Sequence, residues 1–148
     1  MKAITAGAAC LVLVAGCWHG RDHAMIDTAG TLVPPGSSVI EVVDNSEGLV
    51  FEVGDYWATL HIDDGGLAPD ALLSTIDELA AGQGWAERYR CDLLDGWKVG
   101  YSRDDFKVSI AVFERDEDAE YHASVHIQRL GDGNDWPPRD CSLALASH

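Results

Sequence analysis

Basic residues are scarce in this chain. It contains 10 Lys and Arg against 25 Asp and Glu, which gives a formal net charge of −15 at pH 7. Phosphate groups of the same sign are repelled by so acidic a surface, which excludes nucleic acid and anionic lipid headgroups as partners. The carboxylates keep the protein soluble, and they also allow attraction to a cationic protein or to divalent cations.

Long apolar runs are also lacking. The most apolar stretch, Ala3 to Gly16, has 14 residues, whereas a membrane-spanning helix needs about 20. It follows Met1-Lys2, ends in small residues and precedes a polar segment, which is the order of a secretory signal peptide over residues 1–16. A permanent membrane-spanning anchor is therefore the weaker interpretation.

The end of this stretch, Val14-Ala15-Gly16-Cys17, resembles the lipobox of bacterial lipoproteins. The resemblance implies cleavage before Cys17 and diacylation of its sulfur, and two acyl chains hold a protein stably on a membrane. The mature chain would have a formal charge of −16, since residues 1–16 contain one lysine and no acid. Trp18, rather than Asp, follows the cysteine, which favours the outer membrane in a host with two membranes. An ordinary signal peptide, with Cys17 left as a thiol, is the alternative.

Cysteine is rare beyond this segment, where only Cys91 and Cys141 remain. Neither belongs to a CxxC motif, which speaks against a redox or zinc site. In an exported protein, two remaining cysteines predict a disulfide between them. This bridge would attach the C-terminal segment to the domain.

The rest of the chain is predicted to comprise a tether and one domain. Residues 17–35 show no amphipathic period and end in Pro34-Pro35, directly before Gly36, which predicts a flexible tether. Residues 36–148 suit a single acidic domain.

Alternating and β-branched segments predict a mainly antiparallel sheet of five to six strands. The expected strands are 38–43, 48–53, 56–63, 97–102, 105–114 and 120–129. One helix is predicted over 69–82, with Pro69 in its first turn and apolar residues at spacings of three and four. Trp85, directly after the helix, is expected in the core. The predicted fold is an α+β two-layer sandwich with this helix on the inner face and a wet outer face.

Three histidines, His61, His122 and His126, are the weak candidates for metal ligands. Residues four apart on a strand are about 13 Å apart, so His122 and His126 cannot hold one ion together. A site requires the strand of His61 to lie beside that of His122. A calcium loop at 132–135 lacks a closing Glu. We therefore predict no metal and no cofactor.

Catalytic patterns are absent as well. No nucleophile elbow, paired-carboxylate cleft or glycine-rich phosphate cradle is present, so we predict that the protein is not an enzyme. Three aromatic residues, Trp57, Phe113 and Trp136, are expected on or near the outer face, either as a contact surface or beneath the C-terminal tail.

The sequence thus favours a non-enzymatic interaction module of the cell envelope, held on a membrane through Cys17, with a cationic envelope protein as a possible partner. The alternative is a protein that binds a small ligand or a metal through its histidine-bearing sheet face.

Overall fold

The computed structural model describes residues 22–46, 56–114, 119–131 and 141. These residues form two helices and six strands. In chain order the elements are α1 (His23–Gly30), β1 (Ser38–Asp44), β2 (Trp57–Asp63), α2 (Pro69–Gly82), β3 (Ala86–Leu93), β4 (Gly96–Arg103), β5 (Phe106–Phe113) and β6 (Ala123–Arg129).

The strands form one antiparallel sheet in the order β1-β2-β6-β5-β4-β3. Strands β3 to β6 are a meander in which each pairs with the next, and β6 returns to pair with β2. Helix α2 connects β2 to β3, which lies at the far edge of the sheet. This architecture confirms the predicted α+β fold with a mainly antiparallel sheet.

The core lies between the helices and the inner face of the sheet. Alternate residues of the central strands are completely buried there, as the period of two predicts. They are Ala58, Leu60, Ile62, Val99, Val108, Ile110, Val112, Ala123, Val125 and Ile127. Helix α2 contributes Leu72, Ile76 and Ala80, and its bounds agree with the predicted helix. Trp85 is also in this core, as predicted, with the Arg103 guanidinium 4.5 Å from its ring centroid.

The prediction of a flexible tether over residues 17–35 is wrong for its described part. Residues His23–Gly30 form α1, whose N-terminus is capped by the Asp22 carboxylate accepting a hydrogen bond from the Met25 backbone at 3.1 Å. Met25 and Ala29 are completely buried, and so is Leu32. A helix of two turns is too short for its apolar residues to reveal a period, and tertiary packing stabilises it.

Strand β3 was not predicted, because this edge strand contains several charged residues, including Glu87 and Arg90. The predicted strand 48–53 lies outside the described residues. Strand β1 pairs with β2, with Val42 opposite Leu60.

The outer face of the sheet is less exposed to solvent than the alternation of apolar and polar residues predicts. Towards β3, β4 and β5 its side chains are buried, including Tyr89, Lys107 and Ala111, each exposed by 7% or less. Cys91 on β3 forms a disulfide with Cys141, with 5.5 Å between the Cα atoms, and Cys141 is completely buried. The bridge brings a C-terminal residue to this face, a placement that a period of two cannot reveal.

Candidate functional site

The predicted histidines lie on two neighbouring strands or at their ends. Strand β2 pairs with β6, which meets the condition for a shared site. In the observed register, however, His61 lies opposite Ser124, which is between His122 and His126 in the sequence. His126 lies opposite Thr59. The three imidazoles therefore have different partners and do not converge on one ion.

His61 is held by groups on both sides. Its Nδ1 lies 3.0 Å from a carboxylate oxygen of Glu41 on β1. Its ring stacks on Tyr121 with 3.9 Å between centroids and 6° between planes. These contacts assign the ring to packing on the outer face.

Alternation along the predicted strand 120–129 places Tyr121 on the inner face with Ala123, Val125 and Ile127, and for Tyr121 this prediction is wrong. Strand β6 begins at Ala123, so the period of two does not apply to the residues before it. The Tyr121 ring instead contacts His61, and it meets Phe113 edge-on with 5.9 Å between centroids.

His126 is half-buried at the middle of the sheet. Its Nδ1 lies 2.8 Å from the Thr59 hydroxyl, and its ring lies 5.5 Å from that of Trp57. Burial lowers the pKa of His126 below its ordinary value of 6.5, and the positive charges of Lys107 and Lys98 lower it further. This histidine is consequently held neutral in the folded protein at neutral pH.

His122 faces the turn that follows β2. Its backbone N–H donates to the Ile62 carbonyl at 2.9 Å, which fixes it beside Asp63 and Asp64. The Asp64 side chain is 5% exposed, and its Oδ2 lies 3.5 Å from His122 Nδ1. One ligand atom from each of these three residues lies within 4.8 Å of the others. The sequence does not reveal this cluster, because Asp64-Gly65-Gly66 indicates only the end of a strand and gives no sign that His122 lies beside it.

The turn is held by backbone contacts that require glycine. Gly65 has a φ of +64°, and a Cβ at this position would lie 2.1 Å from the carbonyl oxygen of Gly36. The backbone N–H groups of Gly65 and Gly66 donate to Asp63 Oδ1 and Asp64 Oδ1 at 2.8 and 2.7 Å. Both carboxylates therefore have fixed directions, and the second oxygen of Asp64 faces His122.

A cleft of about 350 Å³ opens at the end of the sheet where β4 begins and β5 ends. Its lining residues are Asp95, Phe113, Glu114, Ala119, Glu120 and Tyr121. The three acidic residues are exposed and the two aromatic residues are half-buried. The cleft thus combines negative charge with the faces and edges of two rings.

The remaining predicted site residues have different outcomes. Phe113 lines the cleft, and Trp57 contacts His126. Cys17, Trp136 and the loop 132–135 lie outside the described residues.

Comparison with family models, with curated proteins and with solved structures gives no match for this chain. In the part of the chain that the structure describes, neither helix has the length and apolar character needed to cross a bilayer.

Proposed function

We propose that this chain is an exported lipoprotein of the bacterial cell envelope, anchored through Cys17, whose domain binds a cationic segment of a partner protein. The observation that carries the binding role is the cleft at the end of the sheet where β4 begins and β5 ends. We call it the acidic cleft and define it by Asp95, Phe113, Glu114, Glu120 and Tyr121. The proposal includes no catalytic step.

The charge of the acidic cleft favours Lys or Arg. Asp95, Glu114 and Glu120 surround it without a basic residue among the described lining residues. An incoming cation gains from all three carboxylates, and such complementarity raises the association rate and selects the partner. The net charge of −15 also attracts cationic partners over a longer range.

The aromatic rings add a second source of affinity. Phe113 and Tyr121 are in edge-to-face contact, and Tyr121 is fixed from behind by His61. A guanidinium or ammonium group placed over an aromatic face gains about 0.5–1 kcal/mol at an exposed site. A volume near 350 Å³ is at the lower end for ligand sites, which suits one or two side chains of a peptide.

The acidic cleft is tested by peptide binding to the mature protein in mild detergent. Short peptides with alternating Lys or Arg and apolar residues are compared with peptides in which Gln replaces each cation. The double variant Glu114→Gln/Glu120→Gln should weaken binding of the cationic peptides, and added salt should weaken it in the wild type. The matched control is Glu78→Gln/Asp92→Asn, which removes two exposed carboxylates elsewhere.

Equal binding of cationic and neutral peptides would contradict this role, as would equal losses in the cleft and control variants. The anchor is tested separately by the mass of the mature N-terminus from native membranes. Acyl groups on Cys17 are expected, and Cys17→Ala should release the protein from the membrane fraction. A mature chain that begins elsewhere or has an unmodified Cys17 contradicts the lipoprotein assignment.

A further inference from the structure

We propose that Asp63, Asp64 and His122 form a binding site for a divalent transition metal such as Zn²⁺. The site lies where β2 ends and β6 is about to begin. It is defined by residues outside the acidic cleft and does not depend on the function proposed above.

The donor set fits such an ion. Imidazole nitrogen and carboxylate oxygen are ligands of zinc, and a nitrogen donor distinguishes the set from the all-oxygen sites preferred by Ca²⁺ and Mg²⁺. One ligand atom from each residue lies within 4.8 Å of the others. Three protein ligands leave a fourth position for water or an external ligand, as in zinc sites that are not purely structural.

The distance between His122 and Asp64 matches the spacing of two ligands on one ion. Zinc bonds to nitrogen and oxygen of about 2.1 Å at a tetrahedral angle place the two ligand atoms about 3.4 Å apart. The His122 Nδ1 and Asp64 Oδ2 atoms are 3.5 Å apart. The ligand atom of Asp63 lies within 4.8 Å of the ligand atoms of both residues.

The contacts at this point leave the second carboxylate oxygen of Asp64 beside the imidazole. The Asp64 side chain is 5% exposed, and its Oδ1 accepts a hydrogen bond from the Gly66 N–H. Its Oδ2 lies 3.5 Å from His122 Nδ1. The Asp64 backbone N–H donates to the single lone pair of Nδ1 at 3.4 Å, a long hydrogen bond that an ion bound at Nδ1 would replace. A cation at this position would offset the cost of burying the Asp64 carboxylate.

The cluster is also rigid before any ion binds. Gly65 cannot carry a side chain without meeting the Gly36 carbonyl, and the two turn N–H groups fix both carboxylates. His122 is fixed through its backbone hydrogen bond to Ile62. Because the ligands are already oriented, metal binding requires little reorganisation.

The test is calorimetric titration of the mature, disulfide-bonded protein in mild detergent, after treatment with a chelator. We expect one equivalent of ZnCl₂ or CoCl₂ to bind and to raise the Tm, with much weaker binding of MgCl₂ and CaCl₂. His122→Ala and Asp63→Asn should each lower zinc affinity by at least about 10- to 100-fold. This is the loss that follows removal of a residue that only hydrogen-bonds to a metal ligand. His23→Ala and Asp92→Asn, which change exposed residues elsewhere, should bind as the wild type does.

Asp64→Asn provides a further variant, but its burial can affect folding, so the conclusion depends on His122→Ala and Asp63→Asn. Their circular dichroism spectra and their Tm without metal must match the wild type. X-ray absorption at the zinc edge should show only nitrogen and oxygen neighbours. Zinc that does not bind, zinc binding unchanged in both variants, sulfur neighbours, or preferential binding of calcium would each overturn the proposal.

Discussion

At the scale of single residues, His126 connects burial on the outer face with the response of stability to pH. Its pKa is lowered first by burial and then by Lys107 and Lys98. Between this lowered value and the ordinary value of 6.5, the unfolded chain binds a proton that the folded protein does not. The contribution of His126 to the free energy of unfolding is therefore complete above pH 6.5 and is lost as the pH falls below it.

We therefore predict that His126→Asn reduces the pH dependence of stability. Asparagine keeps a hydrogen-bonding atom near Thr59 but does not titrate, so the decline below pH 6.5 should become smaller. Urea unfolding at several pH values above about 5, where ordinary carboxylates remain ionised, measures the difference. His23→Asn, on the exposed side of α1, should retain the wild-type slope. Identical slopes for His126→Asn and the wild type would contradict the prediction.

At the scale of elements, α1 is part of the core and not a spacer, which its buried residues make testable. Met25→Ala should lower the free energy of unfolding by about 2–5 kcal/mol, because Met25 is completely buried and its loss leaves a cavity. Met25→Leu, which nearly conserves volume, should cost less than about 1.5 kcal/mol. Chemical denaturation of the three proteins provides the comparison. A free energy of unfolding for Met25→Ala within about 0.5 kcal/mol of the wild-type value would be typical of an exposed residue. That result would support a flexible tether at this position.

The elements also show what the sequence could predict. The helix Pro69–Gly82 and the strands around Leu60, Ile110 and Val125 were predictable, since long periodic segments specify both their type and their buried face. Helix α1 was not predictable, because eight residues span only about two turns. Strand β3 escaped detection because charged residues occupy positions that a buried strand would fill with apolar ones.

The candidate site was less predictable than the fold, and register explains the difference. His122 was a candidate from its residue type alone, but its partners depend on which residue of β2 lies opposite β6. The sequence Asp63-Asp64-Gly65-Gly66 indicates a turn, and only the pairing of β2 with β6 places His122 against it. Local patterns do not specify this pairing.

At the scale of the whole molecule, the Cys91–Cys141 disulfide connects an edge strand to the C-terminal segment, and the structure contains it as the cysteine count predicts. The bridge spans 50 residues and encloses β4, β5 and β6. Closing a loop of this length restricts the unfolded chain, which corresponds to about 4 kcal/mol of stability in the chain-entropy description. For a small domain this is a large part of a total stability of about 5–15 kcal/mol.

Removing the bridge should therefore lower the free energy of unfolding substantially, whatever the acidic cleft binds. We predict that Cys91→Ser/Cys141→Ser lowers the free energy of unfolding by about 2–5 kcal/mol, measured by urea unfolding of the mature protein. Thiol reduction of the wild type should lower it by a similar amount, and the double variant should not respond to reductant. A loss seen in the variant but not on reduction would assign the effect to the buried hydroxyl groups, since Cys91 and Cys141 are both buried. Equal stability of all three forms would mean that the bridge does not contribute to holding the sheet and the C-terminal segment together.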